Sequence, residues 1–154
     1  MKVSRKSDYA LRVLFSLVEQ YGQGPVSIRE LAAQNDVPKR FLEHILLDLK
    51  GMGCVDSAPG KNGGYFLAQR PDEIMMGQIV RRFDSLLAPI NCVSASQYEK
   101  CSQEPTCRFR RVFLQIRNDT TRLMDSATLA SIYAGQPVLQ QEVFDEVLIG
   151  GAGI

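Results

Sequence analysis

Three of the four cysteines lie within sixteen residues, at Cys92, Cys101 and Cys107, in the spacing C-x8-C-x5-C. Thiolates are soft ligands that suit iron–sulfur clusters and zinc, and accessible thiols also act as redox switches. Zinc is disfavoured because the chain has no Cys-x2-Cys pair and no histidine near the triplet. An iron–sulfur site, a thiol switch and inert structural cysteines are all compatible with this pattern. The fourth cysteine, Cys54, is expected to be a small buried core residue.

The chain has 154 residues, which fits one domain with an appended arm and allows a real hydrophobic core. It has no run of eighteen or more apolar residues, so no membrane-spanning segment is expected. The N-terminal stretch lacks the separate charged, apolar and cleavage regions of a signal peptide. We therefore expect a cytoplasmic protein, in which thiols stay reduced.

Charge is unevenly distributed along the chain. Residues 1–70 hold ten Lys and Arg against seven Asp and Glu, whereas residues 71–154 hold eight against ten. Residues 137–154 form an acidic tail with three acids and no basic residue. This asymmetry is compatible with a nucleic-acid surface in the N-terminal half.

The N-terminal half has the pattern of three helices followed by a hairpin. Apolar residues from Ala10 to Tyr21 recur at helical spacing until Gly22 and Gly24. Residues 27–30 form a capping box that begins a short second helix, and Pro38 begins a third. Two short strands around residues 54–57 and 65–67 flank a glycine-rich turn. The order predicts a winged helix-turn-helix domain with a small β-hairpin wing.

The third helix has the charge distribution of a recognition helix. Its apolar stripe faces inward, while Lys39, Arg40 and His44 lie at its start or opposite that stripe. The first residues of such a helix contact base edges in the major groove, and Arg to guanine is the commonest specific contact. Phe41 either stacks on DNA or fills the turn, and Lys61 and Asn62 give the wing polar groups for phosphate. The alternative is that these residues form an ordinary solvated face with no DNA role, because exposed Arg and Lys are common on any helix.

A second, longer helix is predicted from about residue 108 to residue 126. Its broad apolar stripe comprises Phe109, Val112, Phe113, Ile116, Thr120, Leu123 and Met124. Four arginines occupy much of the other side. Such a helix after a complete small domain is typical of a homodimer interface, and the alternative is that the stripe packs on its own domain.

Several stretches together resemble one known family: MKVSRKSDYALRVL, residues 27–30, 41–46 and 63–67, the short helix at 76–83 and the cysteine triplet. These resemble the Rrf-two family, dimeric bacterial winged-helix transcription regulators with IscR-like, NsrR-like, RirA-like and CymR-like branches. The resemblance implies a mainly α fold: a winged helix-turn-helix domain plus a long C-terminal dimerisation helix. The expected division is a DNA-binding domain at 1–83, a cysteine-containing sensor loop at 84–107, a dimerisation region at 108–136 and the tail at 137–154.

The resemblance also implies what the triplet does. Cluster-binding members carry three cysteines in the loop before the dimerisation helix, so Cys92, Cys101 and Cys107 would hold a 2Fe–2S or 4Fe–4S cluster that controls operator binding. IscR-like members use a histidine where this chain has Arg110. NsrR-like members can use an aspartate from the partner subunit, and Asp8 stands at the matching position. The alternative is that Asp8 is a solvated residue in the first turn of its helix, where its negative charge interacts favourably with the helix dipole. Pro59 stands where several relatives have a wing arginine.

Three other functions are alternatives to the cluster sensor. The first is a cluster-free regulator controlled by thiol oxidation or, as in CymR-like members, by a partner metabolic enzyme. The second is a winged helix that binds protein without any DNA role. An enzyme is disfavoured because the sequence lacks a paired acid and base, a nucleophile beside a histidine and a phosphate-binding glycine motif.

Overall fold

The computed structural model describes residues 3–84 and 88–143. In chain order its helices are α1 (Arg5–Glu19), α2 (Ile28–Asn35), α3 (Lys39–Gly51), α4 (Met76–Asp84), α5 (Phe109–Ser126), α6 (Leu129–Ala134) and α7 (Gln140–Val143). The strands β1 (Val55–Ala58) and β2 (Gly64–Leu67) form an antiparallel hairpin between α3 and α4. The predicted mainly α fold with a small β-hairpin wing is confirmed. Within the described ranges, no helix is long and apolar enough to cross a membrane.

Local signals in the sequence set the ends of the first three helices. In the capping box of α2, Glu30 N–H donates to Ser27 Oγ at 3.2 Å, and Ser27 N–H donates to Glu30 Oε2 at 3.0 Å. Hydrogen bonding to the Ser27 side chain, followed by that to its backbone N–H, lowers the pKa of Glu30. Asp36 ends α2 in the left-handed region at φ 52°. Tyr21, which the periodicity assigned to the stripe of α1, lies beyond Glu19 in the following turn and is exposed.

The wing packs closely against the start of α2. Val55 pairs with Leu67 at one end of the hairpin, and Ala58 pairs with Gly64 at the other. Val26 adds an isolated bridge to Tyr65, with two N–H···O bonds of 2.8 Å. A Cβ at Gly64 would overlap the Val26 carbonyl, so glycine is required there. Glycine at this position thus permits the close approach of two backbones.

One hydrophobic core joins the helices and the wing. The α3 stripe of Leu42, Ile45, Leu46 and Leu49 is fully buried, as its spacing predicts. Cys54 is also buried in this core, and burial raises the pKa of its thiol. Leu129 of α6 belongs to the same core. Burial of these side chains is the main term stabilising the domain.

The segment after α5 returns to the N-terminal domain. Met76 N–H donates to Ala127 O at 2.8 Å, and Leu129 N–H donates to Ile74 O at 2.9 Å. Tyr133 stacks at a tilt on Phe15 of α1, with ring centroids 5.2 Å apart. Residues 127–134 therefore pack against the winged-helix core. The end of the predicted acidic tail, residues 144–154, lies outside the described residues.

Candidate DNA interface and cysteine site

The outward face of α3 presents the residues expected to contact DNA. Lys39, Arg40, Phe41 and His44 are all exposed, with 62% of Phe41 accessible. Leu47 lies on the same face and is 64% exposed. Sequence reasoning missed Leu47, although its offset from the buried stripe was a usable signal. An apolar side chain there has the chemistry to contact a thymine methyl group.

A backbone contact orients His44. Its Nδ1 lies 2.9 Å from the Arg40 carbonyl oxygen, one helical turn earlier. Because a carbonyl only accepts, Nδ1 carries the proton. The other ring nitrogen, Nε2, is thereby left as the atom that can meet a base or phosphate.

The start of α1 extends this face. Arg5, Lys6 and Tyr9 line a shallow cavity of about 480 Å³ together with Pro38, Phe41 and His44. Phe41 thus does not fill the turn, one of the two positions considered for it. Sequence reasoning missed the α1 residues, because periodicity shows which side of α1 is polar but not which part lies beside α3. Basic and aromatic groups that line one groove suit a nucleic-acid backbone.

The tip of the wing is also exposed and polar. Lys61 and Asn62 lie in the turn between β1 and β2, just after Gly60 at φ 106°. Two further lysines of the head, Lys6 and Lys50, are ion-paired, with Asp48 and Asp56 at 2.8 Å. Lys61 forms no salt bridge with any residue in the described part of the chain. Its charge is therefore available to a phosphate.

The cysteine triplet is only partly assembled. Cys92 and Cys107 line one open cavity of about 910 Å³ between the loop and the start of α5. Cys101 is exposed and does not line this cavity. All three thiols are free. Over residues 3–84 and 88–143, no three His, Cys, Asp or Glu side chains are close enough to hold a metal ion.

Arg110 and Glu104 connect the backbone around two of these cysteines. Arg110 donates to the Cys92 carbonyl from Nε at 3.2 Å and from Nη2 at 2.9 Å. The same Nη2 lies 3.5 Å from Glu104 Oε1, which also accepts from Cys101 N–H at 3.5 Å. Tyr98 donates its hydroxyl to Glu104 at 2.9 Å, and this bond raises the pKa of Tyr98. Arg110 is thus a clamp on the loop backbone, at the position where IscR-like members have histidine.

Asp8 has a different partner in this structure. Its carboxylate pairs with Arg12 one turn later, at 2.6 Å, and both side chains are about half exposed. This pair stabilises α1 by a few tenths of a kcal/mol. Ligation by Asp8 of the partner subunit stays a prediction.

The apolar stripe of α5 is exposed to solvent. Phe109 is 75% accessible and Leu123 is 71% accessible, with Val112 and Ile116 also exposed. No residue of α5 is buried. The helix also packs on α4 and on the 3-10 turn Asn91–Val93. Phe113, Thr120 and Met124 are half-buried, so only part of the stripe packs on its own domain and the rest is exposed.

A winged helix-turn-helix head, with an exposed basic recognition face and a following long helix, defines a transcription regulator. The family model of Rrf2, an iron-dependent transcriptional regulator, matches residues 3–135. The chain belongs to this family, the Rrf-two family named above, and its members are regulators that bind operator DNA, not enzymes.

Individual relatives agree with this assignment. The chain is 39% identical to an Rrf2-like HTH-type transcriptional regulator of Rhodobacter capsulatus, over 88% of this chain and 95% of that protein. It is 32% identical to the transcriptional regulator NsrR of Geobacillus kaustophilus, over 86% and 89% of the two chains. The solved structure of CymR, the global cysteine regulator of Bacillus subtilis, superposes with a TM-score of 0.73 at 28% identity, covering 89% of this chain and 99% of that one.

Proposed function

We propose that this regulator is a cytoplasmic homodimer that binds operator DNA and senses redox, nitric oxide or iron–sulfur status through Cys92, Cys101 and Cys107. The observation that carries the proposal is the position of the triplet. It lies between α4, which belongs to the DNA-binding head, and α5, whose unpartnered apolar stripe suits a second copy of the chain.

DNA binding would use the face described above. The first turn of α3 would enter the major groove, with Arg40 as the base-reading residue and Lys39 and His44 beside it. Lys61 and Asn62 of the wing would contact the phosphate backbone. In a two-fold dimer the two heads would read half-sites separated by about one helical turn, roughly 34 Å.

The residue types of the triplet suit an iron–sulfur cluster, but the three thiols do not converge on one point within the described residues. Three thiols in one loop are the ligands that such clusters take, and Cys92 and Cys107 already share a cavity. The exposed segment around Cys101 would have to close over this cavity before all three could act together. A bound cluster would supply a redox- and ligand-sensitive centre, and Asp8 of the partner subunit is a candidate fourth ligand.

Loop closure would act on DNA binding through the clamp. Because Arg110 belongs to the first turn of α5 and holds the Cys92 carbonyl, a shift of the loop would be transmitted to the dimerisation helix. A shift of α5 would then change the spacing of the two heads. Operator affinity depends steeply on this spacing in dimeric helix-turn-helix proteins.

A second candidate is a cluster-free regulator that responds to cysteine thiol oxidation or to a partner metabolic enzyme. Two observations favour it. The thiols do not converge on a ligand group within the described residues, and the chain superposes on CymR, whose branch the resemblance associates with control by a partner enzyme. Here oxidation would join two of the loop thiols, with the electrons passing to a cellular oxidant such as peroxide.

The deciding experiment is anaerobic purification followed by the visible spectrum and by iron and acid-labile sulfide counts. The sensor proposal predicts bound iron and sulfide, lost in the Cys92→Ser, Cys101→Ser and Cys107→Ser variants and retained in Cys54→Ala. An iron-free dimer whose DNA affinity changes reversibly with peroxide and dithiothreitol would establish the thiol switch instead. If neither treatment changes DNA affinity, control by a partner protein is supported.

A further inference from the structure

Another cavity lies next to the one shared by Cys92 and Cys107, between α4, residues 88–96 and the middle of α5. Its volume is about 410 Å³, within the usual range for a small-molecule site. Three arginines and several neutral polar groups line it, among them Arg81, Arg117, Arg122, Ser94, Asn118 and Thr121. No Asp or Glu is among its described lining residues.

The three arginines differ in how their charge is balanced. Arg81 Nη2 pairs with Asp125 Oδ1 at 2.7 Å, and Arg122 Nη1 pairs with Asp119 Oδ1 at 3.2 Å. Arg117 instead donates from Nε and Nη2 to the neutral amide oxygen of Asn118, at 3.0 and 2.7 Å. It forms no salt bridge with any described residue. Within the described part of the chain, the cavity therefore holds one half-buried guanidinium that has no acidic partner.

A nearly buried hydroxyl lies at the same cavity. Ser94 is 5% exposed, and its Oγ accepts from Gln97 N–H at 3.0 Å. Among the residues that the structure describes, no acceptor is found for the proton of Ser94 itself. A hydroxyl proton without an acceptor and an uncompensated guanidinium are both satisfied by an oxyanion.

The cavity opens mainly on a different side of α5 from Ile116. Successive residues of an α-helix are rotated by about 100°, so Asn118 and Thr121 lie roughly 140–160° around α5 from Ile116 of the apolar stripe. Arg117 lies about 100° from Ile116 and roughly 40° from Phe113, at the border of the stripe. A partner centred on Ile116 therefore leaves Asn118 and Thr121 free and borders Arg117.

We propose that this cavity binds a small organic anion through its phosphate or carboxylate group, with Arg117 as the main ligand and Ser94 as a second donor. Arg is suited to this role because its planar fork donates two parallel bonds to one oxyanion. Arg117 and Ser94 also line the cysteine cavity. The anion would thus contact the peptide that leads away from Cys92, and would act as an effector in addition to the cysteine signal.

The test is a titration of the full-length protein with inorganic phosphate and, separately, with succinate, at constant ionic strength set by sodium chloride. The amide signals of Ser94 and Thr121 in two-dimensional nuclear magnetic resonance report binding at the cavity. We expect saturable shifts with at least one of the two anions, and the better anion identifies the group recognised. The readout needs neither DNA nor iron, so its failure is distinct from failure of the proposed function.

Two charge-matched variants decide the assignment. Arg117→Gln should weaken binding by roughly tenfold or more, because a charge-assisted pair contributes about 1.5–3 kcal/mol. Arg29→Gln removes the same charge from an exposed site on α2 and should leave the affinity unchanged. Ser94→Ala should weaken binding by a smaller factor. Equal affinity in the two arginine variants, or shifts that do not saturate with either anion, would overturn the proposal.

Discussion

Arg82 on α4 donates a hydrogen bond of 2.7 Å to Asp48 on α3, so the helix that leads to the cysteine loop is tied to the recognition helix. Lys6 of α1 donates to the other oxygen of the same carboxylate at 2.8 Å. At the end of α4, Asp84 accepts bonds from Ser4 N–H and Ser7 Oγ, at 3.0 and 2.8 Å. Three helices, α1, α3 and α4, thus meet through two carboxylates.

The first prediction concerns the Asp48 carboxylate. The bond from Lys6, followed by that from Arg82, lowers its pKa below the ordinary value of 3.8. Asp48→Asn should reduce the free energy of unfolding by about 1 kcal/mol at pH 7, as expected for a partly buried charge network. A lowered folded pKa gives stability that is present above the unfolded pKa and lost as pH falls through the folded one. The difference between wild type and variant should therefore shrink as the pH falls below about 4.

Denaturant unfolding at neutral and acidic pH measures this difference. Asp72→Asn is the matched control, because Asp72 pairs with Arg70 inside one exposed loop and joins no two helices. We expect a smaller change in its unfolding midpoint, because both side chains of this pair are largely exposed and solvent screens their charges. A pH-independent loss of stability in Asp48→Asn would contradict the role given to its charge.

The second prediction concerns the close approach of β2 to Val26. Gly64→Ala should cost about 1–3 kcal/mol, because the new Cβ overlaps backbone atoms that cannot move away easily. Gly51→Ala is the control. A Cβ at this last residue of α3 meets nothing within 4 Å, so stability should be unchanged or slightly raised. Thermal unfolding of both variants tests the prediction, and equal melting temperatures would show that the wing can shift without cost.

The third prediction concerns the exposed stripe of α5. Ile116→Glu should weaken dimerisation by at least about tenfold, because a two-fold interface buries the new charge twice. Gln115→Glu adds the same side chain one position away, off the stripe, and should affect only local helix stability. Sedimentation velocity at a series of concentrations measures both. Identical association of the two variants would place the dimer interface elsewhere.

The fourth prediction concerns the bond that holds Tyr98. Because the Tyr98 hydroxyl donates a hydrogen bond to the Glu104 carboxylate, the pKa of Tyr98 is raised above its ordinary value of 10.0. The contact is present below this pKa and is lost as the pH rises through the raised value. Glu104→Gln should lower the pKa of Tyr98, whereas Glu99→Gln, which removes a nearby exposed carboxylate, should not. Resonances of the Tyr98 ring followed through an alkaline titration provide the measurement. No difference between the variants would mean that this contact does not persist in solution.

The fifth prediction separates base reading from phosphate contact. Arg40→Ala should cost about 1–3 kcal/mol on a duplex selected from a random library and should relax its sequence preference. Lys61→Ala should weaken binding to every duplex and reduce the salt slope by about one. Lys100→Ala, in the cysteine loop, is the control for loss of a surface charge. Fluorescence anisotropy at several salt concentrations distinguishes the two effects, and a uniform loss for Arg40→Ala would make it a phosphate contact.

Much of the head could be predicted from sequence because its signals are local. The Ser27–Glu30 box and the alternation of buried and exposed residues on α3 act within one or two turns of chain. The glycines of the wing likewise act at the turn that contains them. For these elements, residue type and spacing were sufficient.

Other relationships were decided by tertiary structure, because they join residues far apart in the chain. Packing, not spacing, brings Tyr9 to Phe41, Leu129 into the head and Arg110 to the Cys92 carbonyl. The sequence determined that three thiols occupy one loop before an apolar helix. The tertiary structure decided that Cys92 and Cys107 share a cavity while Cys101 stays outside it. The physical reason is that loop conformation depends on contacts between residues far apart in the chain, such as the bonds from Arg110 to the Cys92 carbonyl, which no local pattern encodes.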